Sequence, residues 1–379
     1  MRVLFDARCI GDELSAMRVY IRELLRRLPA LAPDWTWHVL VRDNATARSL
    51  VAEAGMDGFQ NVAFEMLPYG FTSFVGNARL AALLVRRRCD IYFSPMVVNS
   101  FLAFGGFRGA CRAAVVAVHG NPTHGYGGPF RVLARRFCLS RAVAGCAAVI
   151  ADSATLRDGL ISMLRLHRSA RSKLRMVYGG ASEAFEAIRR PSCDGRTPTV
   201  LYVGCDKPHK NLATLVRAFA ELKRRGGRAL HLLIVCDDPS RGTRGLVRDL
   251  GIADDVSFVS VAGSRELAIA YGEAAMLVSP SGHEGFSLPI VEAMAAGTPI
   301  ICCDEASRDE ISQGAAIHAQ PSDEHALCDA IERMLADDGI RAECVRRGRE
   351  RARDFSWDKT AEETLRVFSE AAVGGKEAR

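Results

Sequence analysis

A chain of 379 residues, 49% hydrophobic and 25% charged, has the composition of a soluble globular protein and the length of two domains. Its apolar stretches, such as AAVVAV at 113–118, fall far short of the ~20 residues of a membrane-spanning helix, and Asp6 and Arg8 interrupt MRVLFDAR before any signal-peptide core forms. The net charge of +6 conceals a split: residues 1–190 carry 26 Lys/Arg against 14 Asp/Glu, and residues 191–379 carry 24 against 30.

In chain order, MRVLFD reads as a strand. MRVYIRELLRRLPAL then puts Val19, Ile21, Leu24, Leu25 and Leu28 mainly on one side of a helix. WTWHVLVRD is a second strand, LAALLVRRRC a helix, and DIYFSP and AAVVAVHG are strands. PFRVLARRFCLSRAVAGC is a long basic helix, followed by the strand AAVIADS, the helix ATLRDGLISML and the strand-like KLRMVYGG. Strands alternating with helices predict parallel β-α-β units with helices on both faces of a doubly wound sheet. Residues 91–175 hold 12 basic residues and two acids, Asp152 and Asp158. A membrane surface, an anionic acceptor, a phosphate-bearing ligand or a merely solvated helix face all fit that bias.

The alternation pauses at 181–199, ASEAFEAIRRPSCDGRTPT, which reads as an interdomain connection. It restarts with TVLYVG, the helix NLATLVRAFAELKRR, ALHLLIVCD, TRGLVRDLG, DVSFVSV, SRELAIAYGEA and AMLVSPS. TPIICCD and the helices EHALCDAIERMLADD, RAECVRRGRERARDF and WDKTAEETLRVFSEAAV follow. The terminal VGGKEAR has little apolar surface to bury and is expected to be disordered. Twelve cysteines are scattered without a C-x-x-C pair, a pattern of buried thiols and not of a metal site.

The stretch SPSGHEGFSLPIVEAMAAGTP, residues 279–299, carries two carboxylates, Glu284 and Glu292, around a turn. Pro289 suits a first helical turn, because its missing N–H has no partner there. Gly297 and Pro299 end the helix. Glu284 therefore belongs to the loop at the carboxyl end of a strand, where open α/β sheets bind ligands. The amides of Gly285, Phe286, Ser287 and Leu288 make a donor surface suited to phosphate or sugar oxygens. By spacing alone, an ordinary capping role is the commoner explanation of two such glutamates.

EGFSLPIVEAMAAGTPII resembles the retaining nucleotide-sugar glycosyltransferases of family 4, which share a motif of two glutamates with seven residues between them. FDAR, YIRELL, DIYFSP, AAVVAVHG, VIADSATLRDGLI, VYGGASEAF, LYVGCDKPHKNLATLVRAFAEL, SRELAIAYGEAAMLVSPS and FSWDKTAEETL extend the resemblance from residue 1 to about 370. It implies the GT-B fold: two Rossmann-like doubly wound parallel-sheet domains facing a central cleft. The boundaries are 1–185 for an acceptor-side domain and 196–355 for a nucleotide-sugar domain. A C-terminal helix, 356–375, packs back on the first domain.

The resemblance also implies roles. Glu284 contacts donor-sugar hydroxyls, Glu292 the nucleotide ribose, and the amides of Gly285, Phe286, Ser287 and Leu288 the sugar and phosphates. Lys210 matches the lysine that binds the diphosphate. Many members carry an arginine five positions before it; here Cys205 stands there, so either Lys207 supplies the second charge or one cation fewer serves. His119 matches a histidine near the anomeric end of the donor sugar, and Gly120 follows it where many members have aspartate. His124 is a weaker candidate. The glycine-rich turn of many relatives is replaced by Ser15, Ala16, Met17 and Arg18, with Gly11 lying earlier; Arg18 is either a phosphate contact or surface charge. The implied reaction is retaining transfer of a hexosyl group from a nucleoside diphosphate sugar to an acceptor hydroxyl, in glycan or glycoconjugate biosynthesis. The donor is a substrate, and neither cofactor nor metal is expected. The acceptor is a glycan, a lipid-linked molecule or a small molecule, and nucleic acid is not a partner. Location is cytoplasmic, with a peripheral contact at the inner membrane face as an extension. A nucleotide-sugar epimerase and a non-catalytic nucleotide-sugar-binding protein are the alternatives.

Overall fold

The structure, a computed structural model, describes residues 1–10, 16–71, 73–96, 101, 105, 107–120, 129–188, 197–226, 229–261, 263–282, 284–303 and 307–377. Gly11, Ser15, His124 and the final two residues lie outside that set. The chain divides into two compact units, Met1–Gly179 with Trp357–Arg379, and Gly180–Ser356.

The first unit is built on seven parallel strands: β1 (Arg2–Asp6), β2 (Thr36–Val41), β3 (Val62–Met66), β4 (Ile91–Ser94), β5 (Ala113–Val118), β6 (Ala148–Ala151) and β7 (Leu174–Met176). Their order is β3-β2-β1-β4-β5-β6-β7, so the winding reverses between β1 and β4. The AAVVAV run of β5 is buried along its whole length, as a strand covered on both faces requires. The terminal helix Trp357–Glu377 belongs to this unit: Phe368 packs against Trp37 and Phe93, with ring centroids 6.4 and 5.1 Å away. That helix continues to Glu377, into the tail expected to be disordered. A helix already nucleated by packing adds residues at one hydrogen bond each, without needing further burial.

Among the described residues, the short helix Arg168–Arg171, the helix Asn44–Ala54 and the strand β3 of this unit escape the sequence reading. The helix Asn44–Ala54 is fixed at both ends by local chemistry: Asp43 caps it by accepting from the Thr46 amide, and Gly55 closes it at φ 62°. The edge strand β3, VAFEM, is apolar at four of its five positions yet buries only Glu65 fully, and the sequence reading places no strand there.

The second unit has six parallel strands: β8 (Thr199–Val203), β9 (His231–Val235), β10 (Val256–Val259), β11 (Met276–Ser279), β12 (Ile300–Cys302) and the two-residue β13 (Ile317–His318). Their order, β10-β9-β8-β11-β12-β13, reverses between β8 and β11. The segment read as a connection departs from expectation at its start. Ala181 bridges to Ser356, and Phe185 meets Tyr271 edge to face at 5.6 Å. Gly272 makes room for it, since a Cβ there would lie 2.3 Å from the Ile188 side chain. Alternating small apolar residues in ASEAFEAI thus serve packing, and residues 189–196 are not among those described.

Candidate active site

The second sheet reverses its winding between adjacent strands β8 and β11, and in open α/β sheets the carboxyl edge at such a point is the usual ligand site. Residues 204–211 leave β8 and residues 280–287 leave β11, so topology alone brings the two loops together. Asn211 fastens them. It takes the left-handed conformation, φ 51°, and its side-chain amide donates to the Pro280 carbonyl at 3.1 Å. The Gly282 amide donates to the His209 carbonyl at 3.4 Å.

That fastening sets Lys210 beside Glu284: Nζ donates to Oε1 at 2.9 Å. The Glu284 side chain is 8% exposed and that of Lys210 20%. Burial alone would raise the Glu284 carboxyl, but the Lys210 ammonium and a hydrogen bond from Ser281 outweigh it and hold the group below the usual carboxylate range. An ionised carboxylate has about four acceptor sites, so the ion pair leaves capacity for hydroxyl donors. Burial and the neighbouring Lys210 also lower His209. Lys207 begins the turn and is exposed, with no side-chain partner among the described residues. Cys205 is an exposed free thiol.

The helix Leu288–Ala296 starts with Pro289 in its first turn and ends at Gly297, φ 70°. Ser287 caps it without a side-chain hydrogen bond, so its hydroxyl does not close the first-turn amides. The Phe286 ring is held by Phe355, 5.7 Å away edge to face; its side chain anchors the loop and leaves the backbone for recognition. Glu292 is buried, 7% exposed, and accepts from the Tyr271 hydroxyl at 2.9 Å. Thr298 holds Tyr271 in turn by donating to its carbonyl at 2.7 Å. Burial first, and the Glu292 carboxylate second, push the Tyr271 phenol well above its ordinary value, so it remains a donor.

His119 lies in the first unit, directly after β5. Its Nδ1 is 3.3 Å from Oδ2 of Asp152, which directly follows β6. Gly120 occupies φ 69°, the left-handed region that glycine enters without penalty. Arg18 is only 9% exposed; its Nε donates to Glu53 at 3.1 Å and its Nη2 to Ser49 at 2.6 Å. It is neither loose surface charge nor an open cation, because the guanidinium is engaged by the helix Asn44–Ala54.

Sequence reasoning passes over Asn211, Ser281, Tyr271 and Asp152. Tyr271 and Asp152 act on Glu292 and His119 from other elements, which no linear motif displays; Asn211 and Ser281 lie close to Lys210 and Glu284 in the chain. Asp152 had one signal: it ends an apolar strand as His119 does. Among the described residues, one group of side chains comes within common metal-ligating reach: Cys328, Asp329 and Glu332. Arg225 binds both of its carboxylates, at 2.7 and 3.2 Å, which accounts for the cluster without an ion. No described helix is long and apolar enough to cross a membrane.

Comparison with known proteins decides the family of the second unit. Residues 185–351 match glycosyl transferases group 1, a span that nearly fills that unit. The second unit is a group 1 glycosyltransferase domain. The chain is 30% identical over 201 residues to the O-antigen chain mannosyltransferase RfbU of Salmonella typhimurium, a match covering 52% of this chain and 54% of that protein. The chain thus spans about half the length of the curated relatives it matches. Its fold matches sucrose-phosphate synthase from Thermosynechococcus elongatus at a TM-score of 0.77 and 20% identity, covering 98% of each chain. It also matches Anabaena HepE in complex with UDP and glucose at 0.73 and 16% identity, covering 97% and 99%. The two parallel-sheet α/β units are those of the GT-B fold. In the glycosyltransferase domain, Lys210 and Glu284 stand at the turn of the sheet, and Glu292 and the amides of 285–288 begin the neighbouring helix.

Proposed function

We propose that the protein transfers a hexosyl group, with retention of configuration, from a nucleoside diphosphate sugar to an acceptor hydroxyl. The observation that carries the reading is the Lys210–Glu284 ion pair beside the start of the helix Leu288–Ala296. It sets an anion receptor and a hydroxyl acceptor side by side, as a sugar diphosphate requires. Lys210 and the amides of 285–288 receive the diphosphate. Charge grows on the leaving phosphate as the glycosidic bond breaks, and a cation already held in place stabilises that charge without reorganising. Glu284 accepts from the sugar hydroxyls and Glu292 from the ribose. His119 serves the sugar end. No carboxylate acts as nucleophile; the acceptor attacks the face that the phosphate leaves, and the phosphate oxygen helps to take its proton. The chain's own cation and amides serve the diphosphate, so we assign no metal.

The mannosyltransferase name of the Salmonella relative and the UDP and glucose bound by the Anabaena neighbour support this class of donor. They also favour glycan or glycoconjugate biosynthesis as its setting. The basic helix Pro129–Gly145 exposes Leu133 and Phe137 four residues apart, which suits an anionic or membrane-linked acceptor.

A panel of nucleoside diphosphate sugars, screened by thermal shift, tests the donor. One donor should raise the melting temperature of wild type and leave Glu292→Ala unmoved. Proton NMR of the product should then show the donor's anomeric configuration. Inversion would reject the mechanism, and donor conversion without acceptor would identify an epimerase. A shift without turnover would leave only a binder.

A further inference from the structure

The aspartate that many family-4 members place directly after the histidine is replaced here by Gly120, yet the histidine still meets a carboxylate. In the parallel pairing of β5 with β6, Val118 stands opposite Ala151. The next residues on each strand are His119 and Asp152, so the register itself sets them side by side. Nδ1 and Oδ2 come within 3.3 Å. Asp152 is 7% exposed, and its other oxygen, Oδ1, has no hydrogen-bond partner among the described residues. Ser153, the next residue, is fully buried and caps the helix Ala154–Leu164 through the Leu156 amide, which fixes the backbone that carries Asp152. The Tyr20 ring lies edge to face with the imidazole at 4.4 Å and packs on Trp357 at 6.2 Å. The imidazole is therefore held on its Nδ1 edge by a charge and on its face by a ring. Nε2 is itself buried and has no hydrogen-bond partner among the described residues.

We propose that Asp152 is the positioning residue of His119: it accepts Nδ1–H, fixes that tautomer, and reserves Nε2 as an acceptor for a substrate hydroxyl. A carboxylate only accepts when ionised, so a neutral His119 must put its proton on Nδ1, and the second ring nitrogen follows from the first. Strand register thus supplies from β6 what the neighbouring position, Gly120, does not. The tautomer follows from the described geometry alone; the substrate hydroxyl rests on the transfer reading above.

Nitrogen-15 NMR of histidine-labelled protein, free of ligand and at a pH where the imidazole is neutral, reads the tautomer directly. The His119 signals are assigned by their loss in His119→Gln. Wild type should show Nδ1–H with a bare Nε2, and Asp152→Ala should shift the population toward Nε2–H. With the donor that the thermal-shift panel selects, Asp152→Ala should also slow transfer by about 10- to 100-fold. A wild-type His119 carrying its proton on Nε2, or a tautomer that Asp152→Ala leaves unchanged, overturns the proposal. The wild-type spectrum decides the first point even where the variant does not fold. Because the tautomer is read without substrate, a failure of hexosyl transfer and a failure of this pairing give different results.

Discussion

The two sheets reverse their winding at equivalent places, β1/β4 in the first unit and β8/β11 in the second, and use their charges in opposite ways. At β1/β4, Arg8 and Asp6 both have fully buried side chains and form a salt bridge. Tyr92 donates its hydroxyl to Asp6 at 2.7 Å, Arg8 donates to the Tyr69 carbonyl at 3.0 Å, and the guanidinium lies 4.8 Å from the Phe71 ring. These partners engage both charged groups inside the protein. At β8/β11, Lys210 and Glu284 pair at the rim, with the Lys210 side chain partly exposed. One topology therefore supports a lock in one place and a receptor in the other. The difference lies in what surrounds the pair: in the first unit the segment after β3 brings the Tyr69 carbonyl and the Phe71 ring, and β4 brings the Tyr92 hydroxyl.

Breaking the lock should give the largest effect. Arg8→Ala leaves Asp6 buried without its cation, which costs about 3–5 kcal/mol. All three tryptophans, Trp35, Trp37 and Trp357, belong to the first unit, so tryptophan fluorescence during urea unfolding reports that unit. Its midpoint should fall sharply. A midpoint within error of wild type would mean that the network is not a lock.

Lys210→Ala should do the reverse. Loss of a preorganised charge at a leaving group slows turnover by about 10²–10³-fold, while the partial exposure of Lys210 and the hydrogen bond that Ser281 keeps on Glu284 hold the stability loss below that of Arg8→Ala. Steady-state kinetics with the selected donor, beside a thermal melt, separates the two. Equal losses in rate and stability would make Lys210 structural and erase the contrast with Arg8.

How much of this contrast is legible in the chain depends on whether the signal is local. EGFSLPIVE announces its turn, its helix and both glutamates, because Pro289, Gly297 and the carboxylates lie within fourteen residues. The alternation of strands and helices likewise gives the parallel sheets. The partners are another matter. Tyr271 reaches Glu292 from 21 residues away through the packing of two helices, and Asp152 reaches His119 from 33 through strand register. Arg18 shows the same limit: the sequence offers a cation near a turn, and only the fold reveals that Glu53 holds it.

Tyr271→Phe sharpens the receptor side with a smaller change. The ring stays and one donor to a buried carboxylate goes. A hydrogen bond to a charged group is worth about 1.5–3 kcal/mol, so nucleotide affinity should weaken by at most about 10- to 150-fold. Isothermal titration with the nucleoside diphosphate alone isolates the ribose contact from sugar binding. Unchanged affinity would show that Glu292 keeps its place without the phenol, and the helix Ser264–Glu273 would have no part in recognition.

The smallest effect concerns pH and tests whether the rim pair stabilises the domain at all. Burial raises the Glu284 carboxyl, whereas Lys210 and Ser281 lower it, and the lowering prevails. A carboxyl held lower in the folded state than in the unfolded chain adds stability above its unfolded value, about 4.3. That contribution is lost as pH falls through the folded value. Wild type should therefore melt above Glu284→Gln at neutral pH, and the two curves should converge on acidification, because a protonated glutamate resembles glutamine. Calorimetric melts taken from pH 7 downward read the gap directly. Were burial the stronger influence, the sign would reverse: wild type would gain on Glu284→Gln as pH fell. In that case the ammonium at the rim does not compensate the carboxylate, and the receptor would be strained in its empty state instead of balanced.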